Sequence, residues 1–91
     1  MKTYDHKEAE PLLIALSGLN FIDNALEKRF VFKNFKKALS FLIEVGILAE
    51  QANHHPEIFN VYNKVTLRLN THEANGVTDK DFALAAQIQG L

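Results

Sequence analysis

The chain has no cysteine and no tryptophan, and in 91 residues only two prolines, four glycines and one methionine. Without cysteine there is neither a disulfide framework nor a thiolate metal site, which suits an intracellular setting. No run approaches the roughly 20 apolar residues that a membrane-crossing helix needs, and the opening MKTYDHKEAE lacks the apolar stretch of a signal peptide. The sequence therefore reads as soluble and cytoplasmic, with no membrane partner. An excess of one charge is missing as well: ten Lys and Arg stand against eleven Asp and Glu. The basic side chains are dispersed except around Lys28-Arg29 and Lys33 to Lys37, so no concentrated basic face is available to displace phosphate counterions. Direct nucleic-acid binding is not expected. Low-complexity segments are absent, and the apolar content of 47% is that of an ordered globular chain. The length predicts a single domain over 1–91 with a modest core, for which oligomerisation is one source of further stability.

Hydrophobic periodicity supplies the elements. Residues 9 to 17 read as a short helix, with Pro11 in the first turn and Gly18 just past the end. LNFI (19 to 22) and RFVFK (29 to 33) carry strand character, and DNALE between them has the length of a hairpin connection. Asn34 can cap a second helix reaching about Asn53, along which Phe35, Ala38, Leu39, Leu42, Val45 and Ala49 form a stripe. That helix is also apolar off the stripe, at Phe41, Ile43, Ile47 and Leu48, which predicts a subunit interface or else flanks wrapped by the first and third helices. EIFNVY and VTLRLNT then alternate with period two around Asn63-Lys64, a second hairpin. Thr78 opens a third helix with Asp81 three residues on and Phe82, Ala85, Ala86 and Ile88 facing inward. The expected fold class is α+β, in the order α-β-β-α-β-β-α: a four-stranded antiparallel sheet with three helices packed on one face.

Three of the chain's four histidines, His54, His55 and His72, fall around the second hairpin. Pro56 disfavours helical dihedrals at His55, so the pair belongs to the connection into the third strand. With Asn63 and Lys64 as the two turn residues, Tyr62 pairs with Val65, Ile58 lies opposite Leu69, and His55 lies opposite His72. Directly opposed residues have Cβ atoms about 4.5 to 5.5 Å apart, so this register gathers three imidazoles at one end of the sheet. Such a cluster can bind a metal with Glu50 or Glu73 completing the shell, transfer protons near neutral pH, or cap the helix and hairpin through hydrogen bonds.

The spaced pattern E-x3-HHP-x5-Y-x9-H-x8-D, from Glu50 through His54, His55, Pro56, Tyr62 and His72 to Asp81, resembles the signature of the pterin-4a-carbinolamine dehydratases. HHPEIFNVYNKV, NTHEANGVT and, upstream, FVFKNFKKALSFL resemble that family as well. The resemblance implies a lyase that eliminates water from a 4a-hydroxytetrahydropterin to give the quinonoid dihydropterin, in tetrahydropterin recycling, with no metal or redox cofactor. It implies catalytic roles for His54, His55 and His72, with His54 and His72 in acid/base work and His55 mainly holding the pterin. Substrate binding would fall to Glu50, His55, Pro56 and Asp81, although Asp81 also has the spacing of a helix cap with Thr78. Tyr62 reads as scaffold. The implied partners are a reduced pterin and further copies of the chain, as a homodimer or homotetramer. Some relatives also act as dimerisation cofactors of a homeodomain transcription factor, so a non-catalytic interaction module is the rival reading. One departure stands out: Leu19 and Ile58 replace tryptophans common in relatives, which predicts weaker pterin binding rather than lost chemistry. The enzyme reading requires residues 54 and 72 to share one solvent-accessible pocket wide enough for a bicyclic ring.

Overall fold

A computed structural model describes residues 1–91. Its first helix, α1 (His6–Leu13), begins three residues before the expected start, because Asp5 and Glu8 form a reciprocal capping box. The Glu8 N–H donates to Asp5 Oδ1 at 2.8 Å, and the Asp5 N–H donates to Glu8 Oε1 at 3.1 Å. Two otherwise orphaned amides are satisfied there, which outweighs the preference of Pro11 for a first turn. Pro11 lies inside the helix instead, and α1 ends two residues after it.

Strands β1 (Asn20–Ile22) and β2 (Ala25–Val31) follow. Their connection is only Asp23-Asn24, with φ of 48° and 59°, so the expected five-residue link contributes most of its length to β2. Asn and Asp tolerate this left-handed geometry, which matches the twist of a two-residue hairpin. Helix α2 (Phe35–Ala52) starts on the Asn34 cap, whose side chain accepts from the Lys37 N–H at 2.9 Å. Strands β3 (Glu57–Val61) and β4 (Lys64–Leu69) form the second hairpin, a 3₁₀ turn covers His72–Ala74, and α3 (Asp79–Gln89) closes the order α-β-β-α-β-β-α.

All pairings in the four-stranded sheet are antiparallel, in the order β1-β2-β4-β3. The β2–β4 pairing sets Leu26 opposite Leu69 and Phe30 opposite Val65, so these side chains share the face that the helices cover. Ala38, Val45 and Ala49 of α2 and Leu84, Ala85 and Ile88 of α3 complete the core. The opposite face carries Glu27, Arg29, Thr66 and Arg68, with Arg68 paired to Glu27 at 2.7 Å. In α3 Leu84 is buried and Ala86 is exposed, the reverse of the expected stripe at those positions.

The second hairpin turns at Tyr62-Asn63, one residue earlier than expected, so Val61 pairs with Lys64 and Ile58 with Leu67 rather than Leu69. Neighbouring side chains fix that choice. Asn63 is drawn against β2, where its carbonyl accepts from the Phe32 N–H and its amide donates to the Phe32 carbonyl, both at 2.8 Å. Asn60 braces the turn by donating to the Tyr62 and Lys64 carbonyls. Tyr62 is left at φ 52°. This register sets position 55 opposite Asn70 instead of His72, which lies beyond the strand end.

The N-terminal segment is tied to α3. The Tyr4 N–H donates to the Val77 carbonyl at 2.8 Å, its hydroxyl donates to Asp79 Oδ1 at 2.6 Å, and its ring meets Phe82 edge-on. The hydrogen bond to Asp79 raises the Tyr4 hydroxyl above the ordinary tyrosine range. The stability this bond adds is therefore fully present below the ordinary tyrosine pKa and is lost as pH climbs through the raised value. Tyr4→Phe should flatten that alkaline loss, as read by thermal melts from pH 8 to 11. In the core, Leu26→Ala, at a fully buried side chain, should lower unfolding free energy by about 2 to 5 kcal/mol in urea titrations.

Candidate functional site

Helix α2 delivers the histidine pair. Its C-cap, Asn53, takes the left-handed conformation at φ 49°, and the Asn53 and His54 amides donate back to the last turn. Pro56 then directs the chain into β3, so His54 and His55 occupy the short span between a helix end and a strand start. His72 arrives from the other side, on the 3₁₀ turn that follows β4.

The two adjacent imidazoles lead different lives. His54 is 8% exposed, and its Nε2 lies 2.5 Å from Oδ1 of Asp81, which is fully buried. The second carboxylate oxygen of Asp81 accepts from the Thr71 hydroxyl at 2.8 Å and the Thr78 N–H at 2.9 Å. Asp81 also serves as the third residue of the capping box that starts α3. Nδ1 of His54 has no protein partner, yet no buried side-chain nitrogen or oxygen lacks one, so Nδ1 is open to the cleft that this residue lines. His55 is exposed, with Nε2 2.6 Å from Oε1 of Glu50 on the last turn of α2.

His54, His55 and His72 line one open cleft of about 390 Å³, together with Asn53, Pro56, Glu57, Asn70 and Glu73. That volume lies within the about 300 to 1,000 Å³ typical of small-molecule sites, although the lining here is polar throughout. Glu73 adds a fixed negative charge at its rim. Its carboxyl is held below the ordinary glutamate range first by its own backbone N–H, then by Lys80 at 3.7 Å and by His54. Glu50 reaches this neighbourhood only through His55, and Asp81 only through His54. No three His, Asp or Glu side chains converge with the geometry of a metal site.

Leu19 and Ile58 are absent from the cleft lining, so their apolar side chains do not form its wall. Leu19 instead borders a narrow apolar crevice between the sheet and α3, with Phe30, Leu67 and Ile88, leaving room of about 20 Å³, one water's worth. Ile58 is half exposed on the edge strand β3. Tyr62 lies at the far end of the β3–β4 hairpin and is 62% exposed.

Sequence reasoning passed over Asn70 and Thr71. Asn70 lines the cleft while its amide donates at 2.6 Å to the carbonyl of Asn24 in the first hairpin turn. Thr71 is fully buried and touches Asp81. A weak signal exists for Thr71: it falls on the inward phase of the alternating segment VTLRLNT, where a polar side chain needs a buried partner.

The arrangement offers one imidazole backed by a buried carboxylate, a second backed by an exposed one, and a third facing them. It is equipped to exchange protons with a small polar ligand. Comparison with known proteins identifies the family. The family model described as pterin 4 alpha carbinolamine dehydratase matches residues 2–91. A protein of Sulfurisphaera tokodaii, provisionally named a pterin-4-alpha-carbinolamine dehydratase, is 42% identical over 91 residues, covering 100% of this chain and 98% of its own. One of Thermomicrobium roseum, named the same way, is 43% identical with the same coverage. Among solved structures, a transcriptional coactivator/pterin dehydratase from Brucella melitensis superposes with a TM-score of 0.92 at 36% identity, covering 98% of this chain and 97% of that one. A pterin dehydratase-like protein described as a RuBisCO assembly factor in the alpha-carboxysome gives a TM-score of 0.63 at 25% identity, over 72% of this chain and 76% of that one. With the family model matched from end to end and the same fold in its relatives, the chain belongs to the pterin 4 alpha carbinolamine dehydratase family.

Proposed function

We propose that this protein is a cytoplasmic lyase that eliminates water from a 4a-hydroxytetrahydropterin to give the quinonoid dihydropterin, by histidine general acid/base catalysis. The observation that carries the reading is the sharing of one cleft by three imidazoles, one of them held by a buried carboxylate. Hydroxide is a poor leaving group. An acid must protonate the 4a-hydroxyl as the C–O bond breaks, electrons from the neighbouring ring nitrogen move in behind it, and a base takes that nitrogen's proton. Atoms balance with water as the only other product, and no electron acceptor is consumed.

His54 and His72 act at the ring nitrogen and the hydroxyl, and His55, oriented by Glu50, holds the pterin. Pro56 shapes the wall, and Asp81 contributes through His54. Each proton transfer is worth about 10²- to 10⁴-fold in rate. In a carbinolamine dehydration assay, His54→Ala and His72→Ala should each lose activity on that scale. His55→Ala should raise KM more than it lowers kcat. Wild-type rates in both of the first two variants would refute the assignment.

The same chain is proposed to work as a homodimer or homotetramer. Phe35, Leu39, Ile43 and Ile47 recur every fourth residue along α2 and stay 41% to 65% exposed, while Ile58, Phe59 and Val61 are exposed on the edge strand. Phe41 and Leu48, expected on this surface, are instead partly buried against the core. Four neighbouring apolar side chains on one ridge favour association, since burial is worth about 25 cal/mol per Å². Sedimentation at micromolar concentration should give a mass of two or four chains, and Ile43→Glu with Ile47→Glu should lower it; a strictly monomeric wild type contradicts this. That same ridge also favours the rival reading of an interaction module, which predicts no dehydration by the wild type.

A further inference from the structure

A capping box at the start of α3 needs only Thr78 and Asp81. The structure buries more than that. Thr71, on the strand side of the loop, adds a third fully buried polar side chain, and its hydroxyl lies 2.7 Å from that of Thr78 as well as 2.8 Å from Asp81 Oδ2. Buried hydroxyls carry one proton each and cost stability unless every polar atom is matched, so the protons in this group can be placed by elimination.

A carboxylate only accepts, so the Thr71 proton goes to Asp81 Oδ2. Thr71 Oγ1 is then left as acceptor toward Thr78, whose own proton must point at it. Thr78 Oγ1 in turn accepts from the Lys80 N–H at 3.3 Å. The chain runs one way, from the first turn of α3 through two hydroxyls to Asp81. Because Oδ2 also takes the Thr78 N–H, the carboxylate is held by two donors on one oxygen, and its other oxygen faces Nε2 of His54.

We infer that Thr71, held by Thr78, is a positioning residue that locks the Asp81 carboxylate and so fixes the His54 proton on Nε2, presenting the Nδ1 lone pair to the cleft. Resting on the dehydratase reading, this deepens it: His54 is the group that receives the ring-nitrogen proton, at Nδ1, and the acid role falls to His72. Donors aimed at a carboxylate are strong hydrogen bonds, and a fixed rotamer is what makes one imidazole tautomer persist without substrate.

Nitrogen-15 NMR of the ligand-free protein, labelled at histidine, reads the tautomer directly at a pH where the ring is neutral. His54 in the wild type should show a protonated Nε2 and an unprotonated Nδ1. Asp81→Asn can offer an N–H to Nε2, and should move the proton to Nδ1. Thr71→Val should give a mixture of the two forms and lower kcat about tenfold with KM little changed, the size of one net hydrogen bond at the transition state. Thr71→Ser should restore both readouts. A wild-type His54 protonated on Nδ1 overturns the inference whether or not any variant folds, and so does a Thr71→Val protein with the wild-type tautomer and rate. Wild-type protein without dehydratase activity but with the Nε2 tautomer would sink the catalytic reading alone.

Discussion

A carboxylate with no surface of its own organises this molecule. Asp81 receives His54 from the exit of α2, Thr71 from the chain after β4, and the Thr78 amide from the start of α3. Burying such a group without partners would cost several kcal/mol. Here the partners lie 3, 10 and 27 residues from Asp81 in the sequence, His54 being the most distant. Satisfying one anion thus requires the helix end, the loop and the next helix to meet at a single point, and the cleft is the outer surface of that meeting.

Much of this was legible from the sequence where local chemistry acts alone. The cap at Asn34, the break before Pro56 and the Thr78–Asp81 box each depend on residues within a few positions of one another, and the structure has all three. Element order followed from the periodicities. The misread positions are those where distant contacts decide. The second hairpin shifted because Asn63 answers to Phe32, 31 residues away, and the first tightened onto Asp23-Asn24 because Ala25 and Leu26 are buried in the sheet. The start of α1 is set by Asp5 and Glu8, whose capping pattern is local and lies upstream of Pro11.

At the site, the residue types were readable but their partners were not. Register arithmetic set His55 opposite His72, whereas the three imidazoles meet because the 3₁₀ turn folds His72 back beside the helix end. Adjacent histidines also diverge in a way no spacing reveals. His54 turns inward to a fully buried acid and His55 outward to an exposed one. The family likeness and the coordinates complement each other in this respect: the one singles out a set of side chains, and the other distinguishes those that line the cleft from those that touch it only through a neighbour.

The hairpin turn at Asp23-Asn24 is pinned from afar. Arg68 donates to the Ile22 and Asp23 carbonyls, Asn70 to that of Asn24, and Asn24 in turn to Asn75, across 45 to 51 residues of sequence. Contacts of such long range are closed late, since the loop entropy must be met before they reward the chain. The span that carries Asn70, Thr71 and His72 is therefore shaped only when both hairpins are already docked. A partly folded chain can hold its helices and still have no cleft, which makes small-ligand occupancy of the cleft a reporter of completed assembly rather than of collapse.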